Sequence, residues 1–246
     1  MKLSVVIPAY NEALNLPETI TSFYKALTEK QIEHEILVIN DNSGDNTEEV
    51  IRELQQSITT LHTLFNPPPR NGFGYAIRKG LENFSGDCVA LVMADMSDSP
   101  GDLINYYQTF ISQQVDCVFG NRFQVRGSVV GYPRKKMIIN RIVNHLIGIV
   151  FHIRYYDCTN AFKLYSRHTI EGLKPFMSPH FNITVELPLK VIVRGYSYAI
   201  VPNSWVNRKF GTSNLKIREM GSRYFFILLY CLIEKFFSRG DFKKKW

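Results

Sequence analysis

Short β-branched apolar runs alternate with longer segments whose apolar residues recur every three or four positions through the first half of the chain. LSVVIP is followed by NLPETITSFYKALTEK, EILVIN by DNTEEVIRELQQ, TLHTLF by GFGYAIRKGLENF, and CVALVM by DLINYYQTFISQQ, with CVFGN closing the series near residue 121. The short runs predict strands and the intervening segments predict amphipathic helices. Strand and helix in alternation predict an α/β fold with a mostly parallel central sheet and helices on both faces. Ligand loops in such sheets gather at the carboxyl ends of the strands, so the polar residues just after each run are the first candidates for chemistry.

The rhythm changes after residue 122. A basic loop, RFQVRGSVVGYPRKK, leads into MIINRIVNHLIGIVFHI, a helix over 137–153. There Ile138, Ile139, Ile142, Val143, Leu146, Ile147 and Val150 share one face, and Asn140, Arg141, Asn144 and His145 lie on the other. YAIVPNSWV reads as a further strand, and YFFILLYCLIEKFF as a helix ahead of SRGDFKKKW. Its apolar run from Tyr224 to Ile233 falls well short of the roughly 20 residues a membrane span requires, so no transmembrane helix is expected.

With 246 residues, 45% of them hydrophobic, the chain has ample material for one large domain. A formal charge of +7 favours anionic partners: nucleotides, lipid phosphates, membrane surfaces or nucleic acid. The aromatic residues do not interleave with basic ones as a base-stacking platform requires, so no nucleic-acid partner is expected. Cys88, Cys117, Cys158 and Cys231 form no CxxC pair and read as buried thiols in a reducing compartment. The opening MKLSVVIPAY runs straight into a strand, so a cytoplasmic location is the expectation.

Four strand ends carry candidate residues. After the first, Pro8 stops the ladder, Tyr10 offers a flat ring to a base, and Glu12 offers acceptors to base or sugar; an ordinary turn capped by Asn11 or Asn15 is the alternative. After the second, Asp45 suits a helix cap, whereas Asp41 at the strand tip suits a base or ribose donor. After the third, Arg70 and the glycines of Arg70-Asn71-Gly72-Phe73-Gly74 read either as an anion site at a helix start or as a tight turn. After the fourth comes VMADMSDSP, where Asp95 is placed to hold a hard divalent cation and Asp98 reads as the cap of the helix starting near Gly101. Cations later in the chain, Arg122, Arg134, Arg208 and Lys209, suit an anion; Arg208 and Lys209 lie between a strand and a Gly-Thr-Ser loop of a kind that can close over a phosphate.

In order along the chain, VVIPAYNEALNLPETI, ILVINDNSGDNTEEVI, RNGFGYAIRKGLENFSGD, VALVMADMSDSPGDL, GNRF, DCTNAFKLYSR and VPNSWVNRKFGTSNL resemble the inverting family 2 glycosyltransferases of the GT-A fold, in particular the dolichyl- and polyprenyl-phosphate sugar synthases. That resemblance implies a Rossmann-like GT-A catalytic domain over residues 1–215, followed by an amphipathic helix and basic tail over 216–246. It implies nucleotide binding by Pro8, Tyr10, Glu12, Asp41 and Arg70. Mg²⁺ or Mn²⁺ would sit on Asp95 with Ser97, which stands where these synthases often have Gln. Arg122, Arg208 and Lys209 would act with Asp95 on the donor diphosphate, and Arg134 on the acceptor phosphate. Asp157 and Glu186 fall in family segments without an assigned role. Asn40 replaces the first acid of the usual Asp-Asp turn, and Met93 the first acid of Asp-x-Asp, which leaves GDP and UDP donors both open.

The implied reaction moves a sugar from a nucleotide sugar to a lipid phosphate, an acceptor that is already an anion. If the acceptor is a glycan hydroxyl instead, Glu186 or Asp98 is the candidate base. A nucleotide-sugar binding protein without catalysis is the third reading, with Met93 as its mark. The apolar helices with basic flanks, including Lys243-Lys244-Lys245-Trp246, suit a peripheral position on the cytoplasmic face of a membrane. Packing on the core, a homodimer interface or a membrane subunit are the alternatives.

Overall fold

Every residue of β1 (Leu3–Ala9) and β2 (His34–Asn40) is buried, as expected of strands covered by helices on both faces. The computed structural model describes residues 1–125, 128–211 and 217–244, with side chains from Gly221 onward in the last stretch. The expected boundary between residues 215 and 216 lies outside the described residues.

The strand–helix alternation stands through the first half: α1 (Leu16–Glu29), α2 (Thr47–Gln55), β3 (Leu61–Phe65), α3 (Phe73–Asn83), β4 (Cys88–Leu91), α4 (Pro100–Gln113) and β5 (Cys117–Asn121). Beyond it come β6 (Val129–Val130), α5 (Arg134–Phe151), β7 (Lys163–Ser166), α6 (Arg167–Gly172), α7 (Ile183–Val193), β8 (Tyr198–Pro202), β9 (Trp205–Val206) and α8 (Ile217–Phe237). The main sheet has the order β3-β2-β1-β4-β7-β5-β8, parallel except for β7, which runs antiparallel to both β4 and β5. β6 and β9 form a separate two-stranded parallel sheet.

Alternate side chains of the strands feed two cores. Val5, Ile7, Ile36, Val38 and Ala90 face α1 and α4, while Val6, Leu37, Ile39, Val89 and Leu91 face α3, α5, α7 and α8. Among the described residues, no helix is long and apolar enough to cross a membrane.

Three local expectations are corrected. Pro8 does not end β1, which pairs with β2 as far as Ala9–Asn40. It ends the pairing with β4: Val92 donates to the carbonyl of Val6, and at the next position facing β4 Pro8 has no N–H to offer. YAIVPNSWV divides into β8 and β9, which belong to different sheets. α5 begins three residues early, at Arg134. α5 buries Ile147, Gly148 and Phe151 together with one amide, and leaves most of its other apolar residues outside. Asn144 is fully buried, donating to Asn140 Oδ1 and Thr159 Oγ1 at 3.0 Å each, while Ile138, Ile139, Ile142, Leu146, Ile149 and Val150 are exposed.

Candidate functional site

A cavity of about 590 Å³ opens at the carboxyl ends of β1, β2, β4 and β5, beneath α5, β9 and the start of α8. Its wall includes Pro8, Tyr10, Glu12, Asp41, Asp95, Ser97, Arg122 and Arg208, which the topology brings together from strand ends up to 200 residues apart. Arg70 and Arg134 are exposed and do not line it. Lys209 is also outside, paired with the exposed Glu18 at 2.6 Å. The Thr212 and Ser213 of the late Gly-Thr-Ser loop lie outside the described residues.

The loops after β1 and β2 lock each other. Asn11 N–H donates to Ser43 Oγ at 3.0 Å, Gly44 N–H to Asn11 Oδ1 at 2.8 Å, and Glu12 N–H to Thr47 Oγ1 at 3.0 Å. Asn40 closes its own turn, accepting the N–H of Ser43 at 3.0 Å. Asp45 holds the start of α2 as expected, through the N–H of Thr47 at 3.0 Å. Asp41 accepts the side-chain amide of Asn66 at 2.6 Å and the N–H of Gly72 at 2.7 Å. Burial raises its carboxyl above the ordinary range, against the lowering effect of those two bonds.

The Gly72–Gly74 start of α3 is therefore a turn and not an anion site. Gly72 has φ +129° and its N–H is spent on Asp41, while the N–H of Gly74 goes to the carbonyl of Pro179 at 3.1 Å. A Cβ on Gly74 would lie 2.5 Å from the Pro179 carbonyl carbon, so only glycine lets the two backbones meet there.

Met96 is left-handed at φ +57° and folds the segment after β4 so that Ser97 N–H reaches Asp95 Oδ1 at 3.1 Å. Asp98 is not a helix cap. It turns back to accept the N–H of Met93 at 3.0 Å, and the residue before α4, Ser99, makes no side-chain cap. Asp98 is almost fully buried in the cavity wall, and burial pushes its carboxyl up to about 7. Among the described residues, no group of three or more His, Cys, Asp or Glu could hold a metal alone. The oxygen donors of Asp95 and Ser97 nevertheless fit a hard cation that arrives on a diphosphate, because Mg²⁺ so bound takes only one or two carboxylates from the protein.

Two arginines line the same cavity. Arg208 Nη2 lies 2.7 Å from Asp95 Oδ2 and 3.3 Å from Glu12 Oε1, bridging the loops after β1 and β4. Burial raises the carboxyl of Glu12, while its bond from Asn15 and the charge of Arg208 act the other way. Arg122 is buried against Asp157, with Nε–Oδ2 at 3.0 Å and Nη2–Oδ1 at 2.7 Å. Burial opposes its charge, but Asp157 outweighs burial and holds the guanidinium above its ordinary range. Among the described residues this pairing leaves the Nη1 donors of Arg122 for an anion, and it gives Asp157 a role that its sequence position did not reveal.

Glu186 is removed from the candidate bases. It is buried outside the cavity, where it accepts from Lys190 Nζ at 2.6 Å and from the N–H groups of Met177 and Ser178 at 2.7 Å each. Lys136, Tyr132, Asn140 and Trp205 line the cavity and were not singled out by the sequence. The helical spacing of 136, 140 and 143 on one face was a usable signal for the first and third of them, once the helix is started at Arg134.

Residues 4–173 match the family described as Glycosyl transferase family 2. The chain belongs to that family. This family 2 glycosyltransferase is 26% identical over 223 residues to the polyprenol monophosphomannose synthase of Mycolicibacterium smegmatis, a match taking in 87% of this chain and 82% of that protein. It is 27% identical over 220 residues to the dolichol-phosphate mannosyltransferase of Pyrococcus furiosus, covering 88% of this chain and 60% of that protein. Its fold is GT-A: the glucosyl-3-phosphoglycerate synthase from Mycobacterium tuberculosis, in complex with Mn²⁺, uridine-diphosphate and glucosyl-3-phosphoglycerate, superimposes with a TM-score of 0.69 at 18% identity, covering 95% of this chain and 79% of that one.

Proposed function

We propose that this glycosyltransferase moves a sugar, with inversion, from a nucleoside-diphosphate sugar to a polyprenyl or dolichyl phosphate. One observation carries the reading: one cavity brings together strand-end carboxylates, the guanidiniums of Arg122 and Arg208, and Lys136 with apolar helix residues. The names of the two curated relatives support a lipid-phosphate acceptor and a mannosyl donor.

Pro8, Tyr10, Glu12 and Asp41 would hold the nucleoside, with Asp41 fixing the loop that carries Asn66 and Gly72. Asp95 and Ser97 would hold Mg²⁺ or Mn²⁺, which when bound neutralises charge on the departing diphosphate. An oxygen of the acceptor phosphate attacks the anomeric carbon on the face opposite the leaving group. The new carbon–oxygen bond forms as the bond to the β-phosphate breaks, and the electron pair leaves with the nucleoside diphosphate. Arg122 and Arg208, already fixed by Asp157 and Asp95, would stabilise that growing charge without reorganising. Lys136 replaces Arg134 as the cation placed to receive the acceptor phosphate. An anionic nucleophile needs no base, consistent with Glu186 lying outside the cavity.

The test is a thermal-shift screen of GDP- and UDP-sugars with and without Mn²⁺, followed by transfer of radiolabelled sugar to a prenyl phosphate. A metal-dependent rise in melting temperature with one donor, and label in the organic phase, is the expected result. Label appearing only in a water-soluble glycan would replace the acceptor. Absence of any nucleotide-dependent shift would sink the donor site.

A further inference from the structure

Among the described residues the buried arginines and lysines are Arg122, Lys163, Lys190 and Arg194. Three of them have a carboxylate: Arg122 pairs with Asp157 at 2.7 Å, Lys190 with Glu186 at 2.6 Å and Arg194 with Glu234 at 2.7 Å. Lys163, with none of its surface exposed, makes no ion pair among the described residues. It opens β7 between β4 and β5, and its ammonium donates to carbonyls alone: Cys158 at 3.0 Å, Thr184 at 3.3 Å, and Asn160. An ammonium carries three N–H donors and a neutral amine one fewer, so a ring of three carbonyls suits the charged form.

Those carbonyls belong to two segments that reach the cavity. Thr159, Asn160 and Ala161 line it from the loop before β7, and Phe181 and Thr184 from the start of α7. Asn160 is held in turn by its own amide, which donates to the carbonyl of Gly120 and to Asn203 Oδ1 at 3.2 Å each. The titratable groups around Lys163 are Cys158, Asp157, Arg122, Asp98 and Tyr155, whose ring centroid lies 6.0 Å from Nζ. None is a settled counter-ion. Burial pushes the Cys158 thiol up to about 12 and the Tyr155 hydroxyl well above its ordinary range. Asp157 is spent on Arg122, and burial pushes Asp98 up to about 7. Burial also brings Lys163 down to about 7.

A desolvated cation without a counter-ion is costly, and the cavity that Asn160 and Thr184 line is where an anion can offset that cost. We propose that Lys163 is the buried counter-charge of a phosphate bound in this cavity, acting across Asn160 and Thr184 and not by contact. The phosphate is the donor's diphosphate or the acceptor's phosphate, so the inference rests on the reading of the cavity given above. Both sources present the same chemistry to Lys163, a phosphate dianion at close range in a dry wall. Such an anion favours the ammonium over the amine, so binding takes up a proton. The sign follows: the bound protein holds more protons than the free one, and affinity falls as pH rises from about 7 to 9.

Isothermal titration of the full chain over that pH range, in buffers of different ionisation enthalpy, tests this with UDP and GDP in Mg²⁺, inorganic pyrophosphate and geranyl phosphate. The wild-type protein should take up roughly 0.3–1 proton per anion near about pH 8, and its affinity should fall about threefold or more across the range. Lys163→Arg stays charged, so it should bind without that uptake and keep its affinity as pH rises. Lys163→Met should bind about tenfold or more weakly per folded molecule near about pH 7. Uptake with the nucleotides and pyrophosphate makes the donor the source of the phosphate, and uptake confined to geranyl phosphate makes it the acceptor; either bears the inference out. Undiminished affinity in Lys163→Met would overturn it. So would equal uptake in Lys163→Arg, which places the proton on another group such as Asp98. Nucleotide binding without uptake by the wild-type chain would remove the role of Lys163 and leave the donor site standing. Pyrophosphate binding with uptake, and no nucleotide binding, would do the reverse. Failure of every probe to bind would overturn both.

Discussion

The loops after β1, β2 and β4 and the helices α5 and α8 wall one cavity, yet they treat polar groups in opposite ways. The loops spend nearly every polar atom on each other: Asn11 on Gly44, Asp41 on Gly72, Asp95 on Ser97 and Arg208. α5 buries the amide of Asn144, and both helices show apolar residues to the outside. Preorganised polar loops suit a donor whose charge grows in a fixed place, and outward apolar faces suit an acceptor that comes from an apolar phase. If that contrast is functional, changes on the loop side should strike turnover and changes deeper in the helical half should strike stability.

The largest effect belongs to Asp95. In the proposed mechanism, Asp95→Ala removes the one carboxylate offered to a metal, and kcat should fall about a thousandfold, roughly 4 kcal/mol of transition-state stabilisation. Isothermal titration should show the Mn²⁺-dependent part of donor binding lost while the fold melts cooperatively. Retention of more than a tenth of the activity would contradict the assignment. Asp157 mixes the two sides, because its buried carboxylate fixes a cavity cation. Asp157→Ala leaves Arg122 buried and unpaired, which costs about 3–5 kcal/mol and should lower Tm by roughly 10 °C. Replacing both partners, as in Asp157→Leu/Arg122→Met, should restore much of the stability and none of the turnover.

Glu186→Gln should be next, at about 3 kcal/mol, because it strips a buried lysine of its counter-ion. Turnover per folded molecule should stay within twofold of wild type, by roughly the same logic that separates buried structural pairs from transition-state contacts. A large loss of kcat with unchanged Tm would restore Glu186 as a base. Gly74→Ala forces a methyl into the Pro179 backbone and should cost about 1–3 kcal/mol, read in urea denaturation. It should also loosen the donor by displacing Gly72 from Asp41.

How much of this was legible in the sequence depends on whether a signal was local. β1 through β5 announce themselves through apolar runs separated by amphipathic helices, and the strand-end rule then placed Glu12, Asp41 and Asp95 at one cavity. β7 was missed because KLYS is four residues long and opens with Lys163, whose ammonium is buried among the carbonyls of Cys158, Asn160 and Thr184. α7 was missed because it is apolar nearly all round, carries Pro188 inside, and hides an i,i+4 ion pair. Asp98 looked like a cap from its place before Pro100; only the fold shows its carboxylate turning back to Met93. α5 had the right periodicity and its neighbour stayed open, because apolar spacing identifies a face but not what covers it.

The smallest effect should come from Lys209, and it separates adjacent residues. Arg208 reaches inward to Asp95 and Glu12, with 17% of its side chain exposed. Lys209 reaches outward to Glu18, and both partners are about half exposed. An exposed pair contributes about 0–1 kcal/mol and is screened by salt, so Lys209→Gln should change Tm by no more than roughly 2–4 °C. It should change kcat/KM by less than about twofold. In the proposed mechanism Arg208 faces the departing diphosphate, so Arg208→Gln should lose at least about tenfold in kcat. Measured side by side at two ionic strengths, equal losses from the two substitutions would mean that the loop acts as a diffuse basic patch, and the inward contact of Arg208 would lose its special place in the mechanism.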